Sequence, residues 1–178
     1  YFLAVLSAGI DAAIAAYANQ LAYPRGPLKY KIATLRELPR FKPYGVSLEV
    51  DGKRWEQRCT LVAVANGPLF GGGLMISPES SHVDGMLDLV LAEPMRPLAI
   101  ARVFPRLTDG SHLGDPRVRV VRATRVRIGP ATPGGGTQGA PLPPAFADGE
   151  LIGAAPLDVR AVPGALRLLG GKADSLRA

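Results

Sequence analysis

The chain has 178 residues, with 21 Lys and Arg against 15 Asp and Glu, giving a formal net charge of +6. Its 47% hydrophobic content supplies a core and excludes wholesale disorder, and its length fits one domain. Glycine (21) and proline (17) are frequent, which argues against a helix bundle and for a turn-rich chain that is mainly β with a few helices.

The chain opens at Tyr1 and reads as a piece of something longer. The apolar stretch YFLAVLSAGIDAAIAAYA carries Asp11 in its middle and no basic leader. A membrane span or signal peptide is therefore disfavoured. It breaks at Gly9 into a strand at Tyr1–Leu6 and a helix at Asp11–Leu21, with Asp11 as the N-cap. Leu28, Ile32, Leu35 and Leu38 follow at helical spacing, ended by Pro39. Tyr44–Val50 and Lys53–Ala65 read as two strands joined by Asp51-Gly52, a strong hairpin signal.

Asn66-Gly67-Pro68-Leu69-Phe70 leads into Gly71-Gly72-Gly73. Such a run either turns loosely or lets the backbone approach another group, and it matches neither a Walker loop nor GxGxxG. Asp84-Gly85 turns into a strand at Met86–Leu91. A helix follows at Pro97–Leu107, with Leu98, Ala101, Val103 and Leu107 as possible core contacts. Five arginines between Arg117 and Arg127 alternate with valines. They suggest strands with a solvated basic face, or one that attracts lipid headgroups or phosphates. No aromatic residue interleaves with them, which weakens a nucleic-acid reading. Residues 129–145, rich in Gly and Pro, read as a flexible loop. Short strands at Pro156–Val162 and Ala165–Leu169 precede a frayed tail at 170–178.

Cys59 is alone, and His82 and His112 are the only histidines. A disulfide, a Cys-based metal site and a multi-His zinc site are thereby excluded. Asp84 and the pair Asp148/Glu150 are the acidic candidates. Carboxylates at tight turns can join nearby carbonyls around a hard cation. Asp148 and Glu150, two apart in an extended segment, would project to one side. The plain alternative is that Asp-Gly is a common turn dipeptide.

Taken in order, LSAGIDAAIA, LVAVANGPLFGGGLMISPESSHVDGMLDLVL, PLAIARVFPRLTDGSHL and FADGELIGAAPLDVRAVPGALRLL resemble the C-terminal half of the bacterial diacylglycerol kinase and sphingosine kinase-like lipid kinases. The resemblance implies a β-sandwich-like second domain over residues 1–169. It also implies an active cleft shared with an N-terminal nucleotide-binding domain, whose GGDGT-type loop this chain does not match. The implied reaction is phosphoryl transfer from ATP to a lipid hydroxyl in phospholipid biosynthesis. Asp148 would be the catalytic carboxylate, and Glu150 would help hold the Mg²⁺–nucleotide. A structural Mg²⁺ would take the Asp84 side chain with the carbonyls of Ser81 and Met86. Asn66, Gly71, Gly72 and Gly73 would line the cleft. The implied partners are a lipid alcohol and an anionic membrane surface at the inner face of the cytoplasmic membrane, without nucleic acid and with a homodimer left open. By itself the chain is expected to show no turnover. A non-catalytic lipid-binding or regulatory module and a kinase for a soluble nucleotide are the competing readings.

Overall fold

The structure, a computed structural model, describes residues 1–71, 73–133, 137 and 139–167. Gly72, the run Gly134-Gly135-Gly136, the last two residues of the strand expected at Ala165–Leu169 and the tail 170–178 lie outside the described residues, and residues 165–167 of that expected strand are irregular instead. The architecture is mainly β, as the composition suggests.

The first strand, β1 (Val5–Ser7), leads into helix α1 (Ile10–Gln20) and then helix α2 (Pro27–Arg40). Gly9, not Asp11, is the N-cap of α1; Asp11 falls in the first helical turn. There its carboxyl is buried, Oδ1 having no hydrogen-bond partner among the described residues, and burial raises its pKa above the ordinary carboxylate value. In α2, Ala33 is fully buried, whereas Leu28, Ile32 and Leu35 are exposed. Pro39 sits inside the last turn of α2 and does not end it.

Strand β2 (Tyr44–Val50) pairs with β3 (Lys53–Cys59) through the turn at Asp51-Gly52, both residues having positive φ. That geometry matches the twist of a two-residue hairpin. The return strand expected as one run to Ala65 breaks at Thr60, and β4 (Leu61–Ala65) belongs to a different sheet. The Thr60 hydroxyl fixes this corner. It donates to the Glu93 carbonyl at 2.8 Å and accepts the Met95 N–H at 2.9 Å. A small hairpin, β5 (Leu69–Phe70) and β6 (Leu74–Met75), precedes β7 (Leu87–Ala92). Helix α3 (Pro97–Val103) is shorter than expected, because Phe104–Thr108 tightens into a 3-10 turn. Ile100 and Leu107 face the interior there, while Leu98 and Ala101 are exposed.

The arginine-rich run divides into β8 (Val118–Ala123) and β9 (Arg125–Pro130), again in different sheets. Strands β10 (Ala145–Ala147), β11 (Glu150–Gly153) and β12 (Leu157–Arg160) complete the fold. The segment read as a flexible loop is shorter than 129–145, since its ends belong to β9 and β10. Its described part is also anchored. Thr132 N–H and Thr137 Oγ1 donate to Glu56 at 3.1 and 2.9 Å, and Ala140 forms an isolated bridge with Tyr44.

The larger sheet runs β11-β10-β1-β4-β7-β8 and the smaller β12-β9-β2-β3, with antiparallel pairing between neighbours. Val46, Leu48, Val62, Val64, Leu89, Leu91, Val126 and Ile128 interdigitate between the two sheets. Each such buried side chain contributes about 1.5–3 kcal/mol. The opposite face of the larger sheet is covered too, by Ile76, Leu107 and their neighbours. Strand β7 is consequently buried along its whole length, and no polar alternation marks it.

Candidate active site at one rim of the larger sheet

Antiparallel pairing gathers particular strand ends along one rim. Val5 at the start of β1 faces Ala65 at the end of β4, Ala65 faces Asp88, and Leu87 faces Ala123. On the other side of β1, Leu6 faces Ala147 at the end of β10. These strand ends and the loops beyond them carry, in spatial order, Glu150, Asp148, Leu3, Asn66, Asp84 and Arg122.

Asp148 occupies the first position of a two-residue turn. Its φ is 50°, and Gly149 follows at 90°. The segment is therefore bent rather than extended, and the expected same-side projection of Asp148 and Glu150 does not arise that way. The Asp148 carboxylate instead reaches across to the start of β1. Oδ2 accepts the Leu3 N–H at 2.5 Å, and Oδ1 accepts Ala4 and Val5 N–H at 2.9 and 3.1 Å. Three of about four acceptor positions are thus taken, leaving one on Oδ2.

Asn66 grips the same segment from the other side. Its Nδ2 donates to the Leu3 carbonyl at 2.8 Å, and its backbone N–H donates to the Ala4 carbonyl at 2.8 Å. Asp148 and Asn66, 82 residues apart in sequence, hold one three-residue stretch between them. Glu150 is exposed at the beginning of β11. Sequence reasoning missed the backbone amides of Leu3–Val5, because amides leave no signature in side-chain patterns. It also missed His82, whose ring lies over Gly67; a Cβ at Gly67 would fall 2.1 Å from its Nε2.

The remaining expected residues lie elsewhere or in other roles. Gly71 and Gly73 form the tip of the β5–β6 hairpin with positive φ, and a Cβ on Gly73 would meet nothing. Turn conformation explains them without any close approach. Asp84 Oδ1 accepts the Met86 N–H at 2.9 Å, and Oδ2 is ion-paired with Arg122. Ser81 uses its hydroxyl on the Val83 N–H at 3.4 Å. With a guanidinium already on Asp84, this turn does not fit a second cation as it stands. At about 4.8 Å per strand, Asp84 lies on the order of 14 Å from Asp148 along the rim, too far for one ion to bridge. No cluster of three potential metal-ligating side chains occurs among the described residues. Two clefts, of about 160 Å³ beside Tyr44 and about 340 Å³ over β2, β9 and β12, include no rim residue in their linings.

Residues 4–170 match the family model for the YegS C-terminal NAD kinase beta sandwich-like domain. The chain belongs to this family. A diacylglycerol kinase of Mycobacterium tuberculosis is 32% identical over 170 residues, which is 95% of this chain and 52% of that protein. A diacylglycerol kinase of Bacillus subtilis is 30% identical over 58% of this chain and 34% of its own length. In fold, the YegS-type domain is similar to a crystal structure from Bacillus anthracis described as a candidate diacylglycerol kinase. The TM-score is 0.63 at 21% identity, covering 92% of this chain and 50% of that one. The chain thus spans about half the length of the mycobacterial relative it matches.

Proposed function

We propose that this YegS-type domain is the C-terminal part of an ATP-dependent lipid kinase of the diacylglycerol kinase kind, contributing its rim to phosphoryl transfer onto a lipid hydroxyl. The observation carrying this reading is the Asp148 carboxylate, held by three backbone amides with one acceptor position left on Oδ2. Such an acceptor can bind a substrate O–H, align its oxygen and take the proton as the oxygen attacks phosphorus. The amides keep the carboxylate from rotating, so alignment is set before substrate arrives. Asn66 stabilises the same stretch and acts as a positioning residue.

Glu150, exposed beside this turn, has the chemistry to meet Mg²⁺ on the nucleotide, where phosphates and waters provide most ligands. The ion would supply charge neutralisation on the transferred phosphoryl group. The nucleotide itself would be bound by polypeptide outside these residues, consistent with the named kinases being about twice as long. No step is assigned to Asp84. The chain alone is expected to be inactive.

The test is a kinase assay on the full native polypeptide carrying these residues, with Mg²⁺, ATP and a short-chain diacylglycerol. Asp148→Asn should lower kcat by about a hundredfold or more. Wild-type turnover in that variant would remove Asp148 from the mechanism. Absence of turnover on every lipid alcohol tried, with folded protein, would favour the non-catalytic lipid-binding module.

A further inference from the structure

The chain's positive charge is unevenly spent. Between Tyr23 and Lys42 stand Arg25, Lys29, Lys31, Arg36, Arg40 and Lys42 against Glu37 alone, a balance of +5 where the whole chain carries +6. The arginine-rich strands, the more conspicuous basic feature of the sequence, are largely neutralised by comparison. Arg117 pairs with Asp115, Arg122 with Asp84, and Arg125 and Arg127 with Asp158, Arg127 also reaching Glu49. Among the described residues, Arg25, Lys31 and Lys42 have no acidic partner within 4.0 Å.

The same segment exposes apolar side chains. Leu28, Ile32 and Leu35 are 53%, 40% and 76% exposed, and Tyr23 is 85% exposed. The three aliphatic residues stand at i, i+4 and i+7, so they form one stripe along α2. Ala33 points the other way, into the cluster that joins the helix to α1. Lys31 and Arg36, three to four residues from members of the stripe, lie on its two flanks. An outward apolar stripe between basic flanks, with a tyrosine at the helix entrance, suits the boundary between headgroups and acyl chains. A soluble protein partner would be matched by the apolar stripe, but Lys31 beside it, with Arg25 and Lys42 at the two ends of the segment, has no acidic partner and selects an anionic surface, whereas Arg36 on the other flank is paired with Glu37. No helix among the described residues is long and apolar enough to cross a membrane. The 14-residue α2, about 21 Å long, would lie flat.

We propose that α2 is a membrane-docking helix, seating Leu28, Ile32 and Leu35 in an anionic bilayer surface while Arg25, Lys31 and Lys42 contact lipid phosphates. The proposal rests on the reading of this domain as part of a lipid-directed enzyme, and it locates the contact on α2 rather than on the arginine-rich strands.

The experiment is flotation of the full native polypeptide with vesicles of phosphatidylcholine, with and without phosphatidylglycerol. Binding is expected only to the anionic vesicles and should fade as salt rises. Combined Leu28→Ser, Ile32→Ser and Leu35→Ser should weaken it roughly tenfold or more. Combined Arg25→Gln, Lys31→Gln and Lys42→Gln should weaken it about fivefold per charge. Lys53→Gln with Arg58→Gln, on β3, should leave it nearly unchanged. Leu35→Trp should gain fluorescence that brominated acyl chains quench. Because all these side chains are exposed, the variants should melt like wild type. Undiminished binding in both α2 variants overturns the proposal. So does a serine variant that dissociates a dimer yet keeps vesicle binding, which would assign the stripe to a second copy. A water-soluble diacylglycerol separates the two readings. Turnover preserved in the serine variant supports docking as a separate function. Vesicle binding through α2 without any kinase turnover would keep the docking helix and remove the kinase.

Discussion

Two turns of this domain are built alike and do different things. At Asp51-Gly52 and at Asp148-Gly149, both residues have positive φ. In each, the aspartate N–H donates 3.1 Å across to a strand carbonyl, that of Arg125 or of Val5. In each, the carboxylate then seizes the start of the same strand. Asp51 takes Thr124 N–H, Thr124 Oγ1 and Arg125 N–H, while Asp148 takes the amides of Leu3, Ala4 and Val5. An Asp-Gly turn with a clasped carboxylate is therefore a general way to fix a strand start, and it does not by itself mark catalysis. What differs is the setting. Each carboxylate takes three donors, but Thr124 supplies a side-chain donor to Asp51, whereas Asp148 has only amide donors and has Asn66 and Glu150 for neighbours.

The largest expected contrast is in turnover. Asp148→Asn should cost about a hundredfold or more in kcat, while Asp51→Asn should leave kcat unchanged and only lower Tm. Equal losses in the two variants would erase the distinction. Asn66→Ala should come next, lowering kcat by about tenfold with a smaller change in KM, because it loosens the stretch that orients Asp148. Steady-state kinetics on the short-chain substrate would show it, and an effect on KM alone would count against positioning.

Acid titration of stability sharpens the contrast among the aspartates. Hydrogen bonds from Thr124 hold the Asp51 carboxyl below its ordinary value. Its contribution is present near neutrality and lost as pH falls below the ordinary carboxylate range. Asp51→Ala should therefore flatten the acid limb of a Tm against pH curve. Asp11 has the opposite sign. Burial raises its pKa, so folded protein holds that proton more tightly than unfolded protein does. Stability is full below the unfolded value and declines as pH rises through the raised one. Asp11→Asn should raise Tm at neutral pH and give no gain in acid, the smallest of these effects. A uniform gain at all pH values would mean that the carboxyl's charge is not what the site resists.

Much of this was legible in the sequence. The β2 strand and its Asp51-Gly52 turn match the expectation residue for residue, because a two-residue turn and alternating β-formers are local signals. The helix at Ile10–Gln20 and the turn at Asp148-Gly149 were similarly local. The breaks at Thr60 and Thr124 were not. The apolar pattern continues through both, and only tertiary bonds from Glu93, Met95 and Asp51 show where the chain changes sheet. The α2 stripe was legible as helical, but periodicity cannot tell an inward stripe from an outward one. The Arg122–Asp84 pair was invisible for a different reason: 38 residues separate its members, and only the β7–β8 pairing brings them together. For the rim, the sequence displayed the carboxylates but hid the backbone amides that hold one of them.

The two corners at Thr60 and Thr124 have a further consequence. Sheet membership alternates along the chain, with β2 and β3 in one sheet, β4 and β7 in the other, β9 back in the first and β10 again in the second. Neither sheet is a continuous stretch of polypeptide, so neither can form and wait for its partner. Both must close long loops together, a topology associated with slow, all-or-none folding. Cutting the gene between any two central strands would leave fragments of both layers and a complete version of neither.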